Sequence, residues 1–349
     1  MLISKSFYNI TSQTGKKYYL CRMNQRIRYI DTAKGICICL VVAFHCNLLH
    51  YSEGLDNMLG VIRMPLYYFL SGLFFKLYDG YGSFVVKKVN RLLIPFLFFY
   101  LLTSVLLPNI LYQFLGYHFE TVVGWRSLYA FIYPEQFPNI PIWFLWSLFV
   151  SNITFYSVIL GCRGRESILF VSVFILGLAG FALNHFHINL PAFIDNSLLY
   201  APFFFSGHYA WKRGYLQSTL SRASLGLALP VLLVISYVLS NVDADSMWVQ
   251  MPCFWISGIA GIFFVLFLSR LVDSLPLITY YGRYSIMILV SHLVVIQCLQ
   301  KLLTYVLPNV QPSDTLIFIA TLLLSLLLIP LMKKYIPYFV AQKDLLHSI

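Results

Sequence analysis

Apolar segments about 20 residues long recur along the whole chain, and they constrain its fold more than any other feature. A helix that crosses ~30 Å of hydrocarbon needs about 20 mostly apolar residues, because lipid offers the backbone no hydrogen bonds. Charged residues make up only 11% of the 349 residues, against roughly a quarter in soluble domains. We therefore predict an all-α integral membrane protein with about ten transmembrane helices in one bundle. The predicted spans are residues 35–50, 58–78, 92–112, 141–160, 167–186, 196–211, 224–241, 250–269, 284–300 and 315–332.

The spans leave no room for a separate soluble domain. We expect an N-terminal segment at residues 1–33, a polytopic membrane domain at 34–334 and a C-terminal tail at 335–349. The first 22 residues lack the apolar core of a signal peptide. Because Met23 precedes a polar stretch typical of a cytoplasmic start, we expect that translation could begin there.

The distribution of basic residues predicts the orientation. Lys and Arg accumulate on the cytoplasmic side of membrane proteins. With both termini inside, all but three of the 24 basic residues fall inside, the exceptions being Arg63, Arg126 and Lys301. This N-in, C-in topology and anionic lipid headgroups account for the net charge of +11, so we do not expect a nucleic-acid partner. The seven cysteines have no metal-ligand spacing, and we predict no metal site.

The segment "RYIDTAKGICICLVVAFH", Arg28–His45, places three titratable side chains on the first span. Eleven residues separate Lys34 from His45, which is close to three helical turns, so the two side chains share one face. Asp31 lies one turn before Lys34, within reach of an i,i+3 pair. The rise from Lys34 to His45 is roughly 16–17 Å, about half the hydrocarbon thickness. With Lys34 at the cytoplasmic boundary, His45 would lie near mid-membrane and face a polar cavity.

Two simpler interpretations remain for these residues. Asp31 could be an N-cap and Lys34 an anchor on the inner face. A histidine within a span is often an interhelical hydrogen-bonding residue. Because Asp31, Lys34 and His45 share one face of the helix, the two simpler interpretations taken together are less favoured.

Six sequence blocks together resemble the membrane-bound acyltransferase 3 family, whose first helix carries a basic residue, ten positions and then His. Lys34 and His45 form that pair here, where many members have Arg at the position of Lys34. The blocks run in the family's order from about residue 28 to 292, and the polysaccharide and sugar O-acetylases of the group are the most similar. One departure is Arg63, where many of those relatives have His. The blocks are RYIDTAKGICICLVVAFH, MPLYYFLSGLFF (Met64–Phe75), VKKVNRLLIPF (Val86–Phe96), IWFLWSLFV (Ile142–Val150), LLYAPFFFSGHYA (Leu198–Ala210) and YYGRYSIMILVSH (Tyr280–His292).

The resemblance implies a multi-pass protein of a bacterial cytoplasmic membrane that transfers an acyl group, usually acetyl, from acetyl-CoA. The acceptor would be a hydroxyl of a sugar or lipid-linked glycan on the outer side. His45 fits that task, since a free imidazole has a pKa of about 6.5 and can take a proton from a hydroxyl. It could instead carry the acetyl group as an acyl-imidazole. The residues leave both roles open.

Further candidates follow by role. Asp31 and Lys34 join His45 as catalytic candidates, with Asp31 as the partner that fixes Lys34. Lys34, Arg91 and Lys88, with Lys87 beside them, could bind the CoA phosphates at the inner face. We expect the substrate site to be lined by Arg63, Ser71, Trp143 and His292, with Gly72 allowing close helix approach and His208 as a further candidate. The acceptor side is expected to include the outer segment 113–140, with Glu120, Trp125, Arg126 and Glu135.

Two other classes of protein share some of these features. A secondary transporter or glycan exporter would also carry an intramembrane His, Lys and Asp relay. Such transporters often show broken helices at matching positions of two halves, and we find no such pairing. A non-catalytic scaffold for glycan assembly would tolerate loss of His45.

Overall fold

The computed structural model describes residues 27–49, 52–78, 80–115, 122–133, 137–217, 221–272, 275–306 and 312–347. The start predicted at Met23 lies outside these residues. Within them the chain is all-helical and contains no β-strand. The helices are α1 Arg28–His45, α2 Glu53–Leu73, α3 Tyr81–Leu115, α4 Trp143–Gly161, α5 Glu166–His185, α6 Ile194–Leu199, α7 Ala201–Lys212, α8 Arg222–Ser240, α9 Met247–Leu271, α10 Pro276–Arg283, α11 Ser285–Val306 and α12 Asp314–Tyr335.

Seven of the described helices are long and apolar enough to cross a membrane: α3, α4, α5, α8, α9, α11 and α12. Each of the ten predicted spans overlaps a helix, but the first two overlap α1 and α2, which carry charged residues. The predicted sixth span is split into α6 and α7 at Tyr200. The structure thus supports a multi-pass helical membrane protein, while the count of ten and the orientation stay predictions.

The first helix differs from the predicted span 35–50 at both ends. It begins at Arg28, with Ile27 as the N-cap, so Asp31 lies inside the first turn and is not the capping residue. It ends at His45 because Asn47 takes a left-handed conformation with φ of 57°. The backbone N–H of Leu48 then donates to the carbonyl of Ala43, closing the helix. His45 therefore lies at the end of α1 rather than in its middle.

The third helix also starts earlier than predicted, at Tyr81 rather than residue 92. Its entry carries Lys87, Lys88 and Arg91. Two π-helical stretches interrupt it, Val89–Leu93 and Tyr100–Leu106. Such wide turns often occur near functional sites.

Glycines set the two closest helix crossings. A Cβ on Gly72 of α2 would lie 1.9 Å from the carbonyl oxygen of Phe204 in α7, and a Cβ on Gly207 would lie 2.0 Å from that of Phe69. The close approach predicted for Gly72 is confirmed. Gly35 and Gly282 play the same role where α1 crosses α10. Small residues at such positions let two helix backbones pack directly.

Residues 336–347 form a tail that folds back onto the entry of α3. The buried side chain of Asn90 accepts hydrogen bonds from the backbone N–H groups of Leu345 and Leu346, both at 2.8 Å, and donates to the carbonyl of Leu346. Phe339 stacks on Phe98 with 4.1 Å between ring centroids. The tail is therefore an ordered part of this end of the bundle.

Candidate active site

His45 and His292 lie together inside the bundle, and we call them the histidine pair. Their ring centroids are 5.2 Å apart, although 247 positions separate them in sequence. The pairing follows from the packing of α1 against α11. His292 is fully buried and His45 is half-buried. Two imidazoles on separate helices thus meet at one place.

The hydrogen bond of His292 defines which ring nitrogen is available for chemistry. Its Nδ1 lies 2.9 Å from the carbonyl oxygen of Ile288. Because a carbonyl can only accept, Nδ1 must donate, and Nε2 of the neutral ring is left as an acceptor. Nε2 is buried and has no hydrogen-bond partner among the described residues. This nitrogen can therefore accept a proton or a hydrogen bond from a substrate or from its neighbour.

Arg63 brings a positive charge to the same region. Its guanidinium lies over the ring of Phe44, 4.0 Å from the centroid, and Phe44 directly precedes His45. Nη2 is 3.8 Å from the carboxylate of Asp56, and the side chain is largely buried. A buried cation beside a histidine pair can stabilise negative charge that develops on a reacting oxygen.

At the other end of α1 and α2 lies a cluster that we call the lysine end, formed by Lys34, Phe74, Phe75, Lys88 and His208. The ammonium of Lys34 is 4.2 Å from the ring centroid of Phe74, and that of Lys88 is 5.9 Å from Phe75. The ring of His208 packs edge-on against Phe75 at 5.4 Å. Two cations and an imidazole thus surround the pair of phenylalanines that ends α2.

Comparison with known families identifies the protein. A family model described as an acyltransferase domain matches residues 27–331. The chain belongs to the acyltransferase 3 family. It is therefore a membrane acyltransferase by family, as the sequence blocks predict. Searches of curated proteins and of solved structures give no match.

The basic residues of the acyltransferase do not all face one place. Lys87 contacts Asp344 of the tail at 2.6 Å, and Arg91 lies 3.5 Å from the same carboxylate and donates to the carbonyl of Ala341. The hydrogen bond from Lys87 and the charge of Arg91 hold the pKa of Asp344 below its usual range. The structure therefore groups Lys34 with Lys88, whereas Arg91 and Lys87 hold the tail.

The remaining predicted residues take separate places. Asp31 is buried in the first turn of α1, where its backbone carbonyl meets Gly282 of α10. Ser71 is half-buried beside Gly72, toward the lysine end. Trp143 begins α4 and lies 5.5 Å from the ring of Phe193. These three are not part of the histidine pair.

The predicted outer segment is only partly described. Trp125 and Arg126 lie in an exposed 3₁₀ turn, and Trp125 contacts the ring of Tyr129. Glu120 and Glu135 lie outside the described residues. The acceptor role of this segment stays a prediction.

Sequence reasoning missed Asn139, which ties the loop before α4 to both neighbouring helices. Its Nδ2 donates to Oγ1 of Thr103 in the second π-helical stretch at 2.8 Å and to the carbonyl of Val290 at 2.9 Å. Val290 is two residues before His292. The signal in the sequence that could have revealed it is an Asn between two prolines, "FPNIPI", just before an apolar helix.

A buried hydroxyl network was also missed. Oη of Tyr68 and Oγ of Ser147 are 2.6 Å apart, and Ser147 lies 2.8 Å from Oγ of Ser197. Tyr68 also stacks on Tyr200 at 4.7 Å. The network joins α2, α4 and α6, so it fixes the helices that carry Arg63 and Trp143. Each residue alone looks like an ordinary small polar residue of a membrane helix, which is why the sequence did not reveal it.

Proposed function

We propose that the protein is an O-acyltransferase of a bacterial cytoplasmic membrane that moves an acetyl group from acetyl-CoA to a hydroxyl of a sugar or cell-surface glycan. The observation that carries this proposal is the histidine pair, in which two imidazoles meet beside a buried arginine in a chain of the acyltransferase 3 family. Such a site has the parts needed for acyl transfer: a base, an orienting partner and a cation.

In the direct route, His45 accepts the proton of the acceptor hydroxyl as its oxygen attacks the thioester carbonyl. The new C–O bond forms, the C–S bond breaks, and the proton passes to the CoA thiolate. Arg63 stabilises the negative charge on the carbonyl oxygen in the tetrahedral intermediate. His292, fixed by Ile288, orients His45 or shares its proton.

In the second route, His45 itself attacks the thioester. A C–N bond to the imidazole replaces the C–S bond, and the N–H proton of the ring passes to the sulfur, so that CoA leaves as the thiol. The acceptor hydroxyl then attacks the acetyl carbon, the C–N bond breaks, and the hydroxyl proton returns to the imidazole. The two routes differ in one observable, because only the second forms an acetyl-enzyme in the absence of acceptor.

The lysine end is proposed as the place where CoA binds. Lys34 and Lys88 would contact its phosphates, and His208 and Phe74 lie beside them. Binding of a phosphate by Arg91 would require its contact with Asp344 to break. With the lysine end facing the cytoplasm, donor and acceptor would reach the bundle from opposite sides.

The test uses purified protein in lipid nanodiscs with [¹⁴C]acetyl-CoA and a panel of oligosaccharides. We expect label on an oligosaccharide with the wild-type protein and none with His45→Ala. His187→Asn is the matched control, because His187 is exposed, outside the histidine pair and in a left-handed conformation that Asn tolerates.

Full transfer by His45→Ala would overturn the catalytic role of His45. Absence of any transfer or thioester cleavage by the wild-type protein, together with movement of a glycan across proteoliposomes, would favour the transporter alternative. Label that remains on the protein without acceptor would select the acyl-imidazole route.

A further inference from the structure

A cavity of about 270 Å³ opens at the end of the bundle away from the lysine end. Phe137, which is only 1% exposed, forms its floor, and Tyr133, which is 53% exposed, lies at its rim. Phe131 and Phe193 add aromatic walls. The volume is near the low end of small-molecule sites, ~300–1,000 Å³, so it suits a ring-sized molecule and not an extended cofactor.

Polar groups converge on the same cavity from the loop after α5 and from the first turn of α6. Asn189, Asp195 and Asn196 line it together with the aromatic rings. The amide of Asn196 donates to Oδ2 of Asp195 at 3.2 Å, which orients the carboxylate. Among the described residues, none of those that line the cavity is Lys, Arg or His.

The backbone around the cavity is held in an uncommon shape. Ala192 and Phe193 are consecutive residues with positive φ, 56° and 55°. Such conformations cost roughly 1–2 kcal/mol per residue for side chains of this kind. The hydrogen bond from the Ala192 N–H to the carbonyl of Ile132 joins the two loops that form the walls, at 3.1 Å.

The cavity shares one segment with the histidine pair. Phe137 and Ile140 line the cavity, and Asn139 between them donates to Val290, two residues from His292. Phe193 also contacts Trp143, a residue that the sequence predicts to line the substrate site. A molecule held in the cavity is therefore positioned by the same loop that supports α11.

We propose that this cavity binds an uncharged sugar ring of the acceptor. This inference rests on the proposed function and names its acceptor class. A sugar ring has apolar C–H faces that pack on aromatic rings and a rim of hydroxyls that donate to a carboxylate and exchange hydrogen bonds with amides. A quaternary ammonium group would use the aromatic rings and Asp195 but would leave both asparagine amides unused. A uronic acid would place its carboxylate beside Asp195, and the part of the lining that the structure describes holds no cation to compensate.

The proposal is tested first by binding, which does not depend on transfer. Fluorescently labelled protein in nanodiscs is applied to an array of neutral and acidic oligosaccharides. We expect neutral glycans to bind and acidic ones to bind weakly or not at all. Asp195→Asn should weaken the best neutral interaction about tenfold, since hydrogen bonds to a charged group are worth roughly that much.

Matched variants separate binding from misfolding. Tyr133→Ala removes an exposed rim ring and should also weaken binding, whereas Tyr305→Ala removes a ring that is 87% exposed on α11 and should not. Asp243→Asn, at an exposed residue after α8, is the control for Asp195→Asn.

The second arm uses the best neutral oligosaccharide as acceptor for acetyl transfer. We expect Asp195→Asn to raise the KM for the oligosaccharide about tenfold and to leave the KM for acetyl-CoA within twofold. Stronger binding of acidic glycans, no binding to any glycan, or unchanged binding in both Asp195→Asn and Tyr133→Ala would overturn the inference. Glycan binding without any acetyl transfer would overturn the proposed function and leave the sugar site standing.

Discussion

The histidine pair and the lysine end lie at opposite ends of α1, yet they handle polar groups in different ways. At the lysine end, the ammonium groups of Lys34 and Lys88 lie against aromatic faces near the helix ends. At the histidine pair, two imidazole rings lie 5.2 Å apart, and Nε2 of His292 and Nη1 of Arg63 are buried without a hydrogen-bond partner among the described residues. Nδ1 of His208 at the lysine end is also buried without such a partner. A buried polar atom without a partner is costly, and a bound substrate or water would supply the missing hydrogen bond.

The difference suits binding at one end of α1 and chemistry at the other. Cations that lie on aromatic faces can bind an anion without taking part in the reaction, which suits a binding site. Imidazoles with an available nitrogen suit proton or acyl transfer. Lys34 and His45 are roughly 16–17 Å apart along the helix, so the proposed donor would have to span that distance to reach both sites.

The largest expected effect comes from His45→Ala. Loss of a general base lowers rates by about 10²–10⁴-fold, and loss of an acyl carrier lowers them at least as much. We expect kcat for acetyl transfer to fall by that factor with unchanged expression. We expect a smaller fall in kcat for His292→Ala, because the proposed role of His292 is to orient His45. Equal kcat in His45→Ala and wild type would remove the distinction between the two regions.

The next prediction tests the close crossing of α2 and α7 at Gly72, which lies beside the lysine end. Gly72→Ala should lower thermal stability, because its Cβ would lie 1.9 Å from a backbone carbonyl that cannot move aside. Overpacking of this kind costs typically 1–3 kcal/mol. The control is Gly226→Ala in α8, where nothing lies within 4 Å and Ala should stabilise the helix by up to about 1 kcal/mol. Melting curves in detergent should therefore shift in opposite directions.

Lys34→Met should separate binding from chemistry. We expect the KM for acetyl-CoA to rise about tenfold, the loss of one charge-assisted contact to phosphate, with kcat nearly unchanged. Lys88→Met should behave alike, whereas Lys87→Met should have little effect on KM because Lys87 binds Asp344. A fall in kcat with constant KM for Lys34→Met would place that residue with the histidine pair instead.

The smallest effect is expected for Asp344→Asn. Its half-exposed ion pairs are worth about 0.5–1 kcal/mol, so the melting temperature should fall by about 1–2 °C at neutral pH. The depressed pKa of Asp344 means that this contribution is present above the usual carboxylate range and is lost as pH falls through the depressed value. The difference between wild type and variant should thus be constant from pH 5 to 7, begin to shrink at about pH 4 and disappear once the pH is below the depressed pKa of Asp344. A difference that persists at lower pH would show that charge is not its cause.

Hydropathy is a local signal, so the sequence predicted the membrane class and the approximate place of most helices. Titratable residues in apolar segments are local signals too, and they made both histidines candidates. It could not show that His45 meets His292, since helical periodicity identifies a face and not the helix that packs on it. It placed His45 near mid-span, because the left-handed turn at Asn47 that ends α1 was read as helix.

The other omissions have the same origin. Asp195 and Tyr133 are brought together by two loops with no shared motif. Arg91 was assigned to CoA from its position beside a span, but its partner is a tail residue about 250 positions away. Long-range contacts between irregular segments leave no periodic trace in a sequence.

The contact between the tail and the entry of α3 can form only after both segments have been synthesised. Asn90 is 256 positions from Leu346, whose backbone satisfies its buried amide. At about 5–20 residues per second, the ribosome makes the second partner roughly 13–50 seconds after the first. During that interval the third helix lies in the membrane with its polar entry still open. The finished conformation of this end therefore depends on residues that are synthesised long after α3, and a ribosome that stalls within α12 would leave the buried Asn90 without its partners Leu345 and Leu346.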